Sequence, residues 1–396
     1  MGCELAILVE RLGPYHVARI RAAAAELGAE RCAALELAAE SREYAWDAVV
    51  SSGFRRRTVI ADRAYQDASA EHRVRMTLAA LDEENPQAVA INGWGFPEAR
   101  AAAAWCRRRD RVAIVMSESQ ERDERRVFYK EAVKRQVMKA FDSALVSCDS
   151  HVRYLEKLGM ERTRIALGYD IVDNAHFQAG ADAARATAAA ERATRGLPDR
   201  YFLCSARFIP KKNLARLLEA FAAYRAGSAT AAWDLVVVGD GGLRGELDAQ
   251  RARLGLEQSI HFPGFKQYGD LPAFYGLASA FILPSTSEQW GLVVNEAMAS
   301  GLPVLVSEAC GAAALVRNGE NGFTFDPFDV VGMAGLLMRL ASGELDRETM
   351  GRRSEALIAD WGPERFAQGM VEAIRLGNTS RRRRSRLRLP NPFLWF

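Results

Sequence analysis

Short β-rich runs alternate with helical stretches along this chain, and the alternation starts twice. Strands that alternate with helices in this way predict a parallel sheet covered by helices. We therefore predict an α/β chain with two doubly wound, Rossmann-like domains facing a central cleft, and ligands at the carboxyl ends of the strands. The first set of predicted strands comprises 5–10, 45–52, 88–93, 112–117 and 143–148. The second set comprises 201–207, 233–241, 260–265, 279–285, 302–307 and 322–327.

The two sets divide the chain into predicted domains. We expect an N-terminal domain over 1–175 and a second domain over 199–362. The alanine-rich, low-complexity segment 176–198 is interpreted as a linker region. After the second domain, 363–377 has the pattern of an amphipathic helix, expected to pack back on the N-terminal domain, and 378–396 is a basic and aromatic tail.

Composition excludes several classes of protein. A net charge of +3 over 396 residues gives no case for nucleic-acid binding. The six cysteines are scattered without a CxxC pair, which is typical of reduced thiols in a cytosolic protein. No apolar run reaches the roughly 18 residues that a membrane helix needs, so we predict a cytoplasmic protein. No D-x-D sequence and no His/Cys cluster with metal-ligand spacing occurs, so no metal is expected.

The segment "SEQWGLVVNEAMASGLPVL" (287–305) predicts a loop, a short helix and the start of the next strand. The first N–H groups of such a helix form an anion site that suits a phosphate. Glu296 lies about 7.5 Å further along the helix axis, roughly a ribose away, while Glu288 precedes the helix. One carboxylate could hold ribose hydroxyls and the other the hydroxyls of a sugar. The N–H groups belong to Gly291, Leu292 and Val293.

The same segment resembles the E-x7-E motif of the retaining glycosyltransferases of family 4, which have the GT-B fold. "ARFIPKKNLARLLEAFAAY" (206–224) is similar to the family segment whose Arg and Lys face the donor pyrophosphate, here Arg207 and Lys212. "VVVGDGG", "FPGF" and "LVRNGENGFTFDPFD" are also similar to family blocks. The resemblance is close over roughly 200–330 and loose in the N-terminal half.

The resemblance implies that a sugar moves from a UDP- or GDP-sugar to an acceptor hydroxyl with retained configuration. The product would be a polysaccharide, a glycolipid or an envelope glycan. Fixed cations would stabilise the leaving diphosphate without a metal, and the nucleotide-sugar would be a co-substrate rather than a cofactor. The expected catalytic residues are Glu288, Arg207 and Lys212, with Lys211 as the alternative to Lys212. The expected donor-binding residues are Glu296, Gly291, Leu292, Val293, Gly264 and Phe265.

The N-terminal half departs from the family pattern. Gly13 is followed by Pro14 where relatives have a second glycine, and Glu118 stands among serines where many relatives have a histidine. We predict that Gly13, His16 and Glu118 line the acceptor side of the cleft, where a glycan or a lipid-linked acceptor would bind. These departures leave the identity of the sugar open.

Two other functions fit the same pattern. A non-hydrolysing nucleotide-sugar epimerase of this fold would turn over without an acceptor, and a non-catalytic protein would bind nucleotide-sugar only. The tail adds a further prediction, because its arginine cluster and terminal "FLWF" suit peripheral contact with an anionic membrane. The alternative is a tail that is solvated or folds onto the protein.

Overall fold

The computed structural model describes residues 2–41, 46, 47, 49, 52–124, 126–228 and 232–387, the last four without their side chains. The chain divides into two units. The first unit combines the chain up to Val172 with the segment from Pro363 onward, and the second unit comprises Asp173–Gly362.

The first unit is built on a seven-stranded parallel sheet. Its strands are β1 (Leu5–Val9), β2 (Cys32–Ala38), β3 (Arg55–Ile60), β4 (Ala88–Asn92), β5 (Val112–Met116), β6 (Ser143–Val146) and β7 (Ile165–Leu167). Their order is β3-β2-β1-β4-β5-β6-β7. The helices are α1 (Pro14–Leu27), α2 (Ala70–Glu84), α3 (Pro97–Arg108), α4 (Phe128–Met138) and α5 (Asp149–Lys157). One apolar core lies on each face of this sheet.

The second unit is built on a six-stranded parallel sheet. Its strands are β8 (Tyr201–Ser205), β9 (Asp234–Val238), β10 (Ile260–Gly264), β11 (Ala280–Leu283), β12 (Val304–Ser307) and β13 (Gly322–Phe325). Their order is β10-β9-β8-β11-β12-β13. The helices are α6 (Asn174–Ala186), α7 (Ala188–Arg195), α8 (Leu214–Gly227), α9 (Arg244–Arg253), α10 (Leu271–Gly276), α11 (Leu292–Ala299), α12 (Val330–Ala341) and α13 (Arg347–Ile358). All six strands of the second predicted set are present.

The predicted linker region is wrong, because its residues form most of α6 and α7. They belong to the second unit, where α6 packs against α10. A Cβ on Gly180 would lie 2.5 Å from Pro272, and one on Gly276 would lie 2.6 Å from the backbone of Ala181. Small residues therefore let the two helices approach closely, and the low complexity of this segment reflects packing.

Three strands of the first sheet were not predicted. The sequence of β2, "CAALELA", favours helix by intrinsic propensity, and that of β3 begins with three arginines. Pairing with β1 imposes the strand on β2, whose Glu36 side chain is buried and accepts hydrogen bonds from Arg56 and Thr58 of β3. The predicted strand 45–52 falls partly outside the described residues; of its described positions, none is in a strand.

The last helix is longer than predicted. Helix α14 runs from Pro363 to Leu387 and includes the first ten residues of the predicted tail. It belongs to the first unit, where the Ser143 hydroxyl donates to the carbonyl of Ala373 at 2.7 Å. The Arg381 guanidinium pairs with Asp110 at 2.9 Å. The "FLWF" end lies outside the described residues.

All six cysteines are buried and none forms a disulfide. Among the described helices, none has both the length and the apolar character required to cross a bilayer.

Candidate functional site

The second sheet has a switch point between β8 and β11. From these two neighbouring strands the chain proceeds to opposite edges of the sheet, and ligands bind at the carboxyl ends of strands around such a point. Lys212 follows β8 and Glu288 follows β11, and their side chains form an ion pair. The two side chains are only 11% and 13% exposed. The structure thus brings two of the three predicted catalytic residues into direct contact.

Hydrogen bonds to backbone carbonyls hold the loops around this pair. The side-chain amide of Asn213 donates to the carbonyls of Pro284 and Pro327 at 3.0 and 2.7 Å, which joins the loops after β8, β11 and β13. The Thr286 N–H donates to the carbonyl of Lys211 at 2.8 Å. Lys211 therefore contributes a carbonyl to the loop, whereas the side chain of Lys212 reaches Glu288.

Arg207 lies at the same edge of the sheet with its side chain exposed. The loop after β9 packs closely against the loop after β8. A Cβ on Gly239 would lie 1.9 Å from the carbonyl oxygen of Ala206, and a Cβ on Gly241 would lie 2.8 Å from that of Phe208. Only glycine fits there, so the "GDGG" turn has a packing reason as well as its position beside Arg207.

The predicted donor residues at the ends of β10 and β11 occupy this edge too. The carbonyl of Gly264 accepts a hydrogen bond from the N–H of Gly239 at 3.1 Å, and the ring of Phe265 is 42% exposed. Gly291 has a φ of +104° immediately before α11, and Leu292 and Val293 form its first turn, half-buried. The start of this helix lies beside Glu288, since a Cβ on Gly291 would be 3.4 Å from its side chain.

Glu296 has a partner inside the protein. Its side chain is 0% exposed, and one carboxylate oxygen accepts a hydrogen bond from the hydroxyl of Tyr275 at 2.6 Å. Burial and the charge of Glu296 raise the pKa of the neighbouring Tyr268. The buried carboxylate is thus stabilised in part by Tyr275.

In the first unit, Gly13 and His16 lie together after β1. The Gly13 N–H donates to Nδ1 of His16 at 3.1 Å, and a Cβ on Gly13 would lie 2.5 Å from the ring of Trp46. Burial and the positive charge of Arg19 lower the pKa of His16 to about 3. His16 is therefore neutral near pH 7, with its remaining proton on Nε2.

Glu118 follows β5 and lies half-buried beside a buried polar cluster at the carboxyl edge of the first sheet. Burial and the charge of Asp170 raise the pKa of Glu118, and Asp170 follows β7. Asp170 accepts from the hydroxyl of Ser147 and lies 3.6 Å from the guanidinium of Arg19. The raised pKa favours the protonated form of Glu118 near neutral pH, in which the carboxyl group can donate a hydrogen bond.

The sequence analysis missed Asp170 and Arg19. Asp170 comes three residues after the end of β7, and Glu118 comes two residues after the end of β5. This similar position after a strand was the available signal for Asp170. Arg19 gave none, because an arginine on α1 reads as a surface residue until its nitrogens are seen to donate to the carbonyl of Ile171 at 3.0 and 3.2 Å.

Within the described part of the chain, no group of three or more His, Cys, Asp or Glu side chains has the arrangement of a metal site.

Comparison with known proteins finds similarity mainly in the second unit. Residues 189–356 match the family model described as Glycosyl transferases group 1. The D-inositol 3-phosphate glycosyltransferase of Salinispora arenicola is 31% identical over 228 residues, which are 55% of this chain and 51% of that protein. The enzyme of the same name from Acidothermus cellulolyticus is 30% identical over 264 residues, 64% of this chain and 57% of that protein. The chain thus spans about half the length of the curated relatives it matches.

Solved structures extend the similarity to most of the chain. Anabaena HepE in complex with UDP aligns with a TM-score of 0.71 at 17% identity, covering 93% of this chain and 98% of that structure. The sucrose-phosphate synthase of Thermosynechococcus elongatus aligns with a TM-score of 0.73 at 18% identity, covering 94% and 98%. The predicted fold class is confirmed: the chain has the GT-B fold, and its residues 189–356 are similar to the group 1 glycosyl transferases.

Proposed function

We propose that the chain is a retaining glycosyltransferase that moves a sugar from a nucleotide-diphosphate sugar to an acceptor hydroxyl. The observation that carries this proposal is the ion pair of Lys212 with Glu288. It lies at the switch point of the second sheet, beside the start of α11, within the segment that matches the group 1 glycosyl transferases.

The donor would bind at this edge of the second sheet. Charge develops on the diphosphate as the bond to the sugar breaks, and groups that already point there stabilise the transition state. Lys212 would exchange part of its contact with Glu288 for the diphosphate, and the exposed guanidinium of Arg207 would close on it from the loop after β8. The freed carboxylate of Glu288 could then accept hydrogen bonds from the sugar hydroxyls. We propose that these side chains and the start of α11 act without a metal.

The acceptor would meet the first unit. Neutral His16 would offer Nε2–H to an acceptor hydroxyl, since its Nδ1 is occupied by the N–H of Gly13. Protonated Glu118, whose pKa burial and Asp170 raise, would provide a second donor at the same edge of that sheet. We propose a glycan or lipid-linked acceptor in polysaccharide, glycolipid or envelope glycan synthesis, on the cytoplasmic side of the membrane.

One solved relative, Anabaena HepE, has a crystal structure in complex with UDP-glucose, which makes this the first donor to try. The experiment is a thermal-shift screen with UDP-glucose, GDP-mannose, UDP and GDP. A ligand present at 100 times its dissociation constant stabilises the folded state by about 2.7 kcal/mol. We expect stabilisation by one nucleotide class only, with release of its diphosphate when an acceptor is added. No stabilisation by any of the four would contradict the proposal.

The same preparation separates the alternatives. Interconversion of UDP-N-acetylglucosamine in the absence of an acceptor would identify an epimerase. Donor binding without release of a nucleotide diphosphate, across a panel of sugar and lipid acceptors, would favour a non-catalytic binding protein.

A further inference from the structure

Helix α4 exposes an unusual apolar face. Phe128, Tyr129 and Val133 are 84%, 65% and 61% exposed. At about 100° per residue they fall within one arc of roughly 140°, which also contains Ala132 and the half-buried Gln136. The opposite side of the helix carries buried Glu131 and Met138. The apolar arc therefore points away from the core that holds the helix, and folding does not account for it.

Basic residues border the apolar arc on both sides. Lys130 lies along one border and Arg135 along the other, and Lys139 follows the last residue of the helix close to the border of Arg135; all three are exposed. The only acidic residue of the helix is Glu131, which is buried and pairs with Lys134 at 3.0 Å. The outward face of the helix thus combines three large apolar side chains and Gln136 with basic borders, and no acidic residue of the helix itself lies on it.

This surface is rigid before any partner binds. The hydroxyl of Tyr154 on α5 donates to Glu131 at 3.1 Å, and Arg135 donates to the carbonyl of Lys157 at 3.2 Å. The ring of Tyr154 also faces the guanidinium of Arg126 at 4.3 Å. Because α4 is held on α5, docking would not have to pay for ordering the helix.

From these observations we infer that the outward face of α4, formed by Phe128, Tyr129 and Val133 between Lys130, Arg135 and Lys139, docks on an anionic lipid bilayer. The positive borders match acidic headgroups, and rings at the headgroup level are typical of helices that lie in the interface. Side chains this exposed project outward rather than line a groove. A fluid lipid surface can close around them, whereas a protein partner would need a pocket for each.

The position of α4 gives this docking a use. The helix begins after the carboxyl end of β5, so Phe128 and Tyr129 lie toward the sheet edge that carries Glu118 and His16. If the chain transfers sugars as proposed, docking would hold this edge at the bilayer, where a lipid-linked acceptor has its hydroxyl. Only this consequence rests on the proposed function; bilayer binding does not.

The test is co-sedimentation of the full chain with vesicles of phosphatidylcholine alone and of phosphatidylcholine with 30% phosphatidylglycerol. We expect binding to the anionic vesicles, weakened at 0.5 M NaCl. The variant Phe128→Ser/Tyr129→Ser/Val133→Ser should lower the partition coefficient at least tenfold, and Lys130→Glu/Lys139→Glu should do so at low salt. Phe328→Ser/Val331→Ser, which changes two side chains that are 60% and 80% exposed on the second unit, should bind like the parent.

A fluorescence measurement provides an independent readout. When anionic vesicles are added to the single variant Tyr129→Trp, we expect its tryptophan emission to shift to shorter wavelength. The shift should exceed the one that the same vesicles cause in the parent chain, which has seven tryptophans of its own. The inference would be overturned if the serine variant bound anionic vesicles as well as the parent does. It would also be overturned if the parent bound neutral and anionic vesicles equally, or bound neither. This face would instead be a contact between copies of the chain if three results came together. The parent would be dimeric in solution, the serine variant would be monomeric, and neither would bind vesicles. Sugar transfer to a water-soluble acceptor, measured separately, shows whether the proposed function fails.

Discussion

The Lys212–Glu288 pair is a site in which opposite charges are already neutralised before a ligand arrives. Its two side chains are little exposed, so water screens their attraction only in part. A diphosphate that enters must compete with Glu288 for Lys212, and the sugar must then satisfy the carboxylate that is released. The pair therefore couples recognition of the diphosphate to recognition of the sugar.

The charges of Lys212 and Arg207 should act mainly on turnover. We expect Lys212→Ala and Arg207→Ala to lower kcat by about 10²–10³ with a smaller rise in KM, because leaving-group charge grows in the transition state. Steady-state kinetics with the donor found by the screen checks this. Lys211→Ala is the matched control and should stay near the parent, since the contribution of Lys211 to the loop is its carbonyl. Unchanged kcat with a raised KM would contradict this assignment, and activity lost with EDTA and restored by Mg²⁺ would contradict the metal-free scheme.

Glu296 should matter for donor affinity beyond its bond to Tyr275. Hydrogen bonds to a charged group contribute about 1.5–3 kcal/mol, so Glu296→Ala should weaken donor binding tenfold or more. Tyr275→Phe removes the internal hydrogen bond but keeps the carboxylate, and it should bind donor nearly as the parent does. Isothermal calorimetry measures both variants. If Glu296→Ala binds donor like the parent, Glu296 is a structural residue.

The carboxyl pair of Glu118 and Asp170 should leave a signature in stability. Burial raises the pKa of Glu118, so the folded state keeps a proton that the unfolded chain releases above about pH 4.3. The contribution of this group to the free energy of unfolding therefore falls as pH rises. Relative to the parent, Glu118→Gln should gain stability between pH 5 and pH 8, as measured by urea unfolding. A difference that does not change with pH would show that Glu118 is ionised in the folded state.

At the scale of elements, glycines decide how closely neighbours pack in the second unit. Helices α6 and α10 approach through Gly180 and Gly276, and the loops after β11 and β12 approach through Gly311, where a Cβ would lie 2.1 Å from the carbonyl oxygen of Gln289. These contacts bring the loop that carries Glu288 against the loop after β12. Packing of elements therefore positions the site as much as the site residues do.

Gly276→Ala should destabilise the second unit by about 1–3 kcal/mol, because the new methyl group would meet the backbone of Ala181 at 2.6 Å. Gly245→Ala on α9 is the matched control. A Cβ there has no neighbour within 4 Å, and alanine favours helix over glycine by about 0.5–1 kcal/mol. Urea midpoints should therefore move in opposite directions. Equal midpoints for Gly276→Ala and the parent would mean that α6 and α10 can separate without cost.

At the scale of the whole molecule, the chain leaves the first unit after Val172 and returns to it at Pro363. Helix α14 then runs beside α1 and the strands β5, β6 and β7. This return places the first arginines of the basic cluster, Arg381 to Arg383, on the first unit, which also carries α4. Both basic segments that we associate with a membrane therefore belong to the same unit.

The residues beyond Leu387 should add to membrane binding separately from α4. In the background Phe128→Ser/Tyr129→Ser/Val133→Ser, we expect the full chain to keep weak binding to anionic vesicles that a chain ending at Leu387 loses. The aromatic side chains favour the interface and Arg388 adds attraction. Co-sedimentation at low salt measures the difference. The ending at Leu387 keeps α14 whole, and equal binding by both chains would show that the tail is not an anchor.

The local pattern of the sequence determined the strands that are continuous apolar runs and the helix that carries Glu296. Each is encoded within a few residues, as in "SAFILPS" and "GLVVNEAMAS". The resemblance of 206–224 and 287–305 to family segments predicted which residues lie after β8 and β11, and both places fall at one edge of the sheet because parallel strands end there. The helical nature of the segment 176–198 was misjudged, since its alanines and glycines resemble a linker until a partner helix is present.

Only the tertiary structure decided the partners of the charged and buried side chains. Lys212 rather than Lys211 reaches Glu288, Tyr275 shares the carboxylate of Glu296, and Asp170 joins Glu118. The two residues of each pair are 76, 21 and 52 positions apart in the sequence, respectively. No local pattern encodes such contacts, because the electrostatic and hydrogen-bonding energy that selects them exists only once the sheet has brought the loops together.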